Sequence, residues 1–179
     1  AYPGAGQDFG LTGSEVISVL KKAAAVIEDS YEKERLEKYI EALLKQEGFV
    51  QLFNGRDLSG WKGLVGDPVS RAKMTPEELK EAQEKADSIM GEHWKVVDGI
   101  LVFDGKGESL CTARDYGDFE LFVDWKIESK GDSGIYLRGS PQVQIWDPAQ
   151  APEGSGGLYN NEKGLNKPLK RADNPVGEW

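Results

Sequence analysis

Between His93 and Asp147 the chain is cut into short apolar-rich runs, and in DFELFVDWKIE, SGIYLRG and PQVQIWD the apolar residues recur every second position. HWKVVDG, ILVFDGKG, SLCTARD, DFELFVDWKIE, SGIYLRG and PQVQIWD follow one another with turn residues between them. A strand sends successive side chains to opposite sides, so alternation of this kind predicts strands with one buried and one solvated face. Short strands at close spacing, with Asp98-Gly99 and Asp104-Gly105 as hairpin signals, point to an antiparallel sandwich or barrel.

The two runs in residues 131–147 set the question of function. Ile135 and Leu137 form one row of the first run, and Val143 and Ile145 form the matching row of the second. The opposite faces carry Tyr136 and Arg138, and Gln142, Gln144 and Trp146. One side reads as core, and the other as a surface built to touch a ligand.

The remainder of the chain frames this segment. Residues 1–11 are Gly-rich and read as a loose arm. Residues 12–48 read as helix: Thr12 and Glu15 resemble a capping box, and Gly48 is a C-terminal stop. Val16, Val19, Leu20, Ala23, Ile27, Leu36, Ile40, Leu43 and Leu44 recur at helical spacing, and EDSYEKE marks a break into a helix pair with Ser30 as the new cap. Within residues 66–92, Thr75, Pro76 and Glu78 predict a helix from Pro76 to about Met90. Its few apolar residues suggest an exposed insertion. Residues after Asp147 read as a long loop, a feature more often functional than idle. The resulting division is a helical appendage over 1–48 and a β domain over 49–179 with a helical insertion at 66–92.

Composition narrows the partners. The 179 residues carry a net charge of −9 with 39% hydrophobic and 30% charged residues, consistent with a soluble globular chain. The pI is about 4.8 and the Lys and Arg residues form no patch, which argues against nucleic acid. No apolar stretch is long enough to span a membrane, and AYPGAGQDFG lacks the basic and apolar regions of a signal peptide. The lone Cys111 permits no intrachain disulfide and reads as a small core residue. His93 is the sole histidine, so a multi-histidine metal centre on this chain is excluded. No cofactor is expected. A structural calcium ion would suit a lectin-like sandwich, but no Asp-x-Asp-x-Asp run supports one.

FVQLFNGRDLSGWKG, HWKVVDGILVFDGKG, YGDFELFVDWKIESKGDSGIYLRGSPQVQIWD, GSGGLYNN and GEW, in that order, resemble the 3-keto-disaccharide hydrolases, a family common in Bacteroides and first classed as a domain of unknown function. The resemblance covers residues 49–179. It implies a concanavalin A-like jelly-roll sandwich, export to the periplasm or outer membrane, and cleavage of glycosides already oxidised at the sugar C3. Family members continue past GEW with further strands, so a second chain or a further C-terminal segment is expected to complete the sandwich. The family also often carries Glu-x-Gln where this chain has Gln142-Val143-Gln144.

A C3 ketone acidifies the C2 proton, so the glycosidic bond can break by elimination across C1–C2 with water adding afterwards, or by hydrolysis. Such chemistry needs a base, a group that stabilises enolate charge, and a proton source. Arg138 suits the charge-stabilising role because its guanidinium is always charged and forks onto paired oxygens. Glu120, Asp124 and Lys126 share the polar face of their run, making Asp124 the first carboxylate to consider and Lys126 its neighbour. Asp147 is the second carboxylate. Gln142 and Gln144 would bond hydroxyls, while Trp146, Tyr136 and Tyr159 offer rings for sugar stacking. Asn160, Asn161 and Lys163 follow the flexible GSGG and would act as a lid. A non-catalytic carbohydrate-binding module is the alternative. An ordinary retaining glucanase is disfavoured, since its paired acidic residues are replaced along Gln144-Ile-Trp-Asp147-Pro-Ala-Gln150.

Overall fold

The computed structural model describes residues 13–46, 48–159, 161, 164 and 166–179. It divides into two compact units, one ending at Arg56 and one beginning at Asp57.

The first unit is a helix pair, α1 (Gly13–Val26) and α2 (Ser30–Gln46). Ile17, Ala24 and Ile40 form its buried core, with Leu20, Leu36, Leu43 and Leu44 packed against them. The inward stripe of α1 is therefore 17, 20 and 24: Leu20 packs inward as expected, but Ile17 and Ala24 take the places expected for Val16, Val19 and Ala23. Val16 and Val19 face outward because an Ala- and Val-rich helix offers more than one apolar stripe, and the stripe on α2 selects between them. The helix start also differs from expectation. Asp29, not Ser30, is the cap: its carboxylate accepts from the Glu32 amide at 2.8 Å, and its carbonyl accepts from Lys33. At the far end, Phe49 N–H bonds to Leu44 O and Gly48 N–H to Lys45 O, with Gly48 at φ +82°. This is a Schellman stop, which a residue with a Cβ adopts poorly.

The second unit is β-rich and built from small antiparallel sheets with helices between them. β1 (Trp61–Gly63) pairs with β4 (Leu110–Thr112), β2 (Trp94–Val97) with β3 (Ile100–Phe103), and β5 (Asp132–Tyr136), β6 (Gln142–Trp146) and β7 (Leu158–Tyr159) form a three-stranded sheet. A short helix α3 (Pro68–Arg71) and the longer α4 (Pro76–His93) lie between β1 and β2.

Local chemistry explains several elements directly. Asp98 and Gly99 both have positive φ, the requirement of a tight type I′ turn, and Val97 pairs with Ile100 across it. Thr75 caps α4 with the expected box, its hydroxyl accepting from Glu78 N–H while the Glu78 carboxylate accepts from Thr75 N–H. Asp104-Gly105 behaves differently from Asp98-Gly99. The Asp104 carboxylate accepts from Lys106 N–H, and the following strand pairs with β1, so no hairpin forms there.

Packing adds to one expectation and departs from another. First, α4 is not merely an exposed insertion. Ala86 is buried, Gln83 Nε2 donates to Gly63 O at 2.9 Å, and Gly63 N–H donates to Asp87 Oδ1 at 2.9 Å. A Cβ on Gly63 would run into the Ala86 carbonyl, so the glycine admits the helix backbone against the strand. Second, residues 118–128, the longest of the expected strands, join no sheet among the described residues. Of the apolar row Phe119, Leu121, Val123, Trp125 and Ile127, the first four are exposed and Ile127 is half-buried. The jelly-roll sandwich is accordingly not seen as two packed sheets, although the β-rich, antiparallel character is.

Candidate functional site

The three-stranded sheet brings the polar residues of residues 131–147 into ordered rows. Partners across an antiparallel ladder share a face. Tyr136, Gln142 and Tyr159 are in register across β5, β6 and β7 and form one row. Gly134 and Gln144 form the next, and Asp132 and Trp146 the last. Tyr136 and Tyr159 are exposed on either side of Gln142.

Glycine at 134 makes the middle row possible. A Cβ there would collide with the Gln142 side chain, which lies across the gap. Gln144 is only 5% exposed, and its Nε2 donates to Asp132 Oδ1 at 2.6 Å. That amide positions Asp132 from below the surface, whereas the sequence suggested that it would meet ligand hydroxyls. Asp132 was not among the residues singled out from the sequence. Its signal was present: counting back two from Gly134 places it on the polar face, opposite Trp146.

At the Asp132 and Trp146 end the face opens into a hollow of about 320 Å³, lined by Gly131, Asp132, Trp146, Gln150, Ala151 and Glu153. That volume is near the lower end for small-ligand sites. The indole is fixed, because Trp146 Nε1 donates to Gly154 O at 2.8 Å and Trp146 N–H donates to Ser155 Oγ at 3.2 Å. Glu153 forms an ion pair with Lys167 at 3.5 Å. Its own backbone N–H, then Lys167, hold its carboxyl below the usual range.

Asp147 supports the rim from beneath. It is 2% exposed, and its carboxylate accepts from Lys130 N–H and Ala149 N–H, each at 2.8 Å. These bonds, with a further one from Gln150, depress its pKa. Its backbone carbonyl accepts from Gln150 and Ala151, and its N–H donates to Gly131 O. Asp147 thus joins the corner at 130–131 to the turn at 149–151, and both of its carboxylate oxygens are occupied by backbone.

The other residues singled out from the sequence lie elsewhere. Arg138 occupies the first corner of the turn after β5, with φ +55°, Gly139 at φ +88° and Ser140 N–H bonded to Leu137 O. The alternation ends at Tyr136, so Arg138 does not continue the row. It also stands at the opposite end of β5 from Asp132. Four strand rises of about 3.3 Å put roughly 13 Å between Asp132 and Tyr136. Glu120, Asp124 and Lys126 are exposed in the unpaired segment, and Lys126 Nζ sits 5.2 Å from the Trp179 ring. Asn160 and Lys163 fall outside the described residues. Asn161 is described, with its N–H donating to Leu158 O.

His93 and Trp94 are held by neighbouring side chains, and Cys111, expected in the core, is half-buried. His93 Nδ1 lies 3.0 Å from the Asp104 carboxylate, and that contact lowers the Asp104 pKa. Trp94 stacks on Phe103. Burial pushes the Cys111 thiol up, away from the reactive thiolate. Among the described residues no group of three or more His, Cys, Asp or Glu side chains is placed to hold a metal ion, and no helix is long and apolar enough to cross a membrane.

Comparison with known proteins bears on the same unit. A 3-keto-disaccharide hydrolase of Bacteroides thetaiotaomicron is 22% identical over 167 residues, covering 74% of this chain and 50% of that protein. The chain therefore spans about half the length of the curated relative it matches. No solved structure matches. Residues 48–179, which contain the three-stranded sheet and its hollow, match the model of the 3-keto-alpha-glucoside-1,2-lyase-like domain, and the chain belongs to that family.

Proposed function

We propose that this chain binds a 3-keto glycoside on the polar face of the β5–β6–β7 sheet and cleaves its glycosidic bond, by hydrolysis or by elimination across C1–C2. The observation that carries the reading is the set of rows itself: a Trp beside a hollow, two exposed Tyr residues flanking an amide, and a carboxylate oriented by a buried amide. Sugar rings bond through hydroxyls at their edges and stack through C–H faces, and this surface supplies partners for both. Family membership supports the choice of a 3-keto sugar.

In the elimination route, Asp132 is the base. One of its oxygens is held by Gln144, which leaves the other to take the C2 proton. The C2–H electron pair moves into the enolate of the C3 ketone and then into the C1–C2 double bond. The C1–O bond breaks, and the departing oxygen takes the proton that Asp132 removed from C2. Water adds to C1 afterwards. Arg138 stands in the turn beyond the far end of β5 and serves a neighbouring unit of the glycoside. The apolar row Phe119, Leu121, Val123 and Trp125 belongs, in this reading, to a jelly-roll sandwich completed by strands outside the described sheets.

A binding module without chemistry is the second reading. It is favoured by the internal use of Gln144 and Asp147, whose polar atoms serve the fold. Incubation with a 3-keto glucoside and with its unoxidised parent, followed by mass spectrometry of the released aglycone, separates the two. Release from the keto sugar alone, lost in Asp132→Asn, is expected. Calorimetric binding without release would favour the module, and release unaffected by Asp132→Asn would remove Asp132 as the base.

A further inference from the structure

The hollow's aromatic wall is held by a residue that does not line it. Trp146 hangs from two adjoining residues, its indole N–H on Gly154 O and its backbone N–H on Ser155 Oγ. Those two residues are themselves gripped from the C-terminal segment. Both Asp173 oxygens accept from Ser155 N–H, at 3.0 and 3.1 Å. The Asp173 side chain is only 7% exposed, and Arg171 Nε lies 4.0 Å from it. Gly154 is shaped to admit this carboxylate: it has φ +80°, and a Cβ on it would collide with Asp173 Oδ2 and crowd Arg171. The same segment is anchored beyond Asp173 by Gly177 N–H donating to Ile127 O at 3.0 Å.

We propose that Asp173 is the positioning residue for Trp146: its buried carboxylate fixes the 154–155 corner, and that corner sets the tilt of the indole against the hollow. The inference rests on the hollow being the sugar site, but its physical core is the link from Asp173 to Trp146. A buried carboxylate bonded to a backbone amide is a strong tether, because the charge strengthens the bond and its loss strands the partner N–H. Without it, the corner keeps only its backbone bonds, Gly154 N–H on Ala151 O and Gly156 N–H on Gln144 O, and the Gly154 carbonyl and Ser155 hydroxyl can shift against the indole and its backbone. The wall would then be present but misplaced.

The test is ¹⁹F NMR of the full chain carrying 5-fluorotryptophan, with the Trp146 line assigned by its loss in Trp146→Phe. Asp173→Ala is expected to shift and broaden the Trp146 line while the Trp61 and Trp94 lines stay in place. Asp173→Asn, which keeps one acceptor oxygen, is expected to restore much of the line's position. Ser155→Ala, which removes the second link and leaves Asp173 intact, is expected to broaden the same line. Affinity for a 3-keto glucoside, measured on the same samples, should fall about tenfold in Asp173→Ala, the effect of losing one charge-assisted tether. A Trp146 line unmoved in both Asp173→Ala and Ser155→Ala overturns the proposal. If Asp173→Ala does not fold, Asp173→Asn and Ser155→Ala decide it by the same line. A line that moves as expected in a protein that binds no glycoside would uphold the positioning role and remove the carbohydrate reading.

Discussion

Two regions of the second unit have the same sequence pattern and opposite fates. Residues 132–146 and residues 119–127 both alternate apolar and polar side chains. In the first, β5 and β6 pair through five registered positions, and Ile145 is 6% exposed. In the second, no ladder forms among the described residues, and Val123 is 45% exposed. Alternation therefore defines two faces without defining what covers either. Burial follows from the cross-strand partner, which is why strand preference depends so heavily on context.

The comparison is open to direct test. Ile145→Ala should have the largest effect, a loss of about 2–5 kcal/mol in urea unfolding, because a buried branched side chain is removed from the paired sheet. A loss under about 1 kcal/mol would mean that the sheet is no better packed than the unpaired segment. Gly134→Ala should cost less, about 1 kcal/mol, since the Gln142 side chain can swing away from the new methyl. Its greater effect should be on the face itself, where displacing Gln142 from between the tyrosines weakens glycoside binding by calorimetry.

Asp147 gives the comparison a pH dependence. Backbone donors depress its folded-state pKa below the unfolded value of about 3.9. Its contribution is therefore complete above that unfolded value and is lost as pH falls through the lower folded value. Thermal melts from neutral pH downward should show an acid-side fall in Tm for the wild type. Asp147→Asn should lower Tm at neutral pH, where the amide group faces a backbone donor, and should flatten that fall. Equal slopes in the two proteins would mean that Asp147 is not the titrating clamp.

The smallest effect is expected from Val123→Ala, about 0.5 kcal/mol or less in urea unfolding, as for other exposed positions. A loss of several times that would show that Val123 is covered in solution, and would bring the two regions back into one kind of structure.

Local chemistry was legible in the sequence wherever a few adjacent residues decide the outcome. The helix start at Thr75 and Pro76, the Gly48 stop and the tight turn at Asp98-Gly99 follow from hydrogen bonds and backbone angles within a single turn of chain. The polar face was legible in the same way: Tyr136, Gln142, Gln144 and Trp146 share it because strand geometry has a period of two. Asp132 was readable by the same rule. Arg138 was not, because the turn that carries it breaks the period.

The tertiary structure alone decided which polar groups serve the fold. Nothing in the spelling of QVQIWD tells Gln142, half-exposed between tyrosines, from Gln144, buried beneath Asp132, or marks Asp147 as a clamp on the 130–131 corner. Nor does it join Asp173 to Trp146 through the 154–155 corner. The sequence by itself determined faces, caps and turns, since these depend on energies acting over a few residues. Pairing, burial and the use of each polar atom depend on which distant segments meet, and those contacts exist only once the chain has folded.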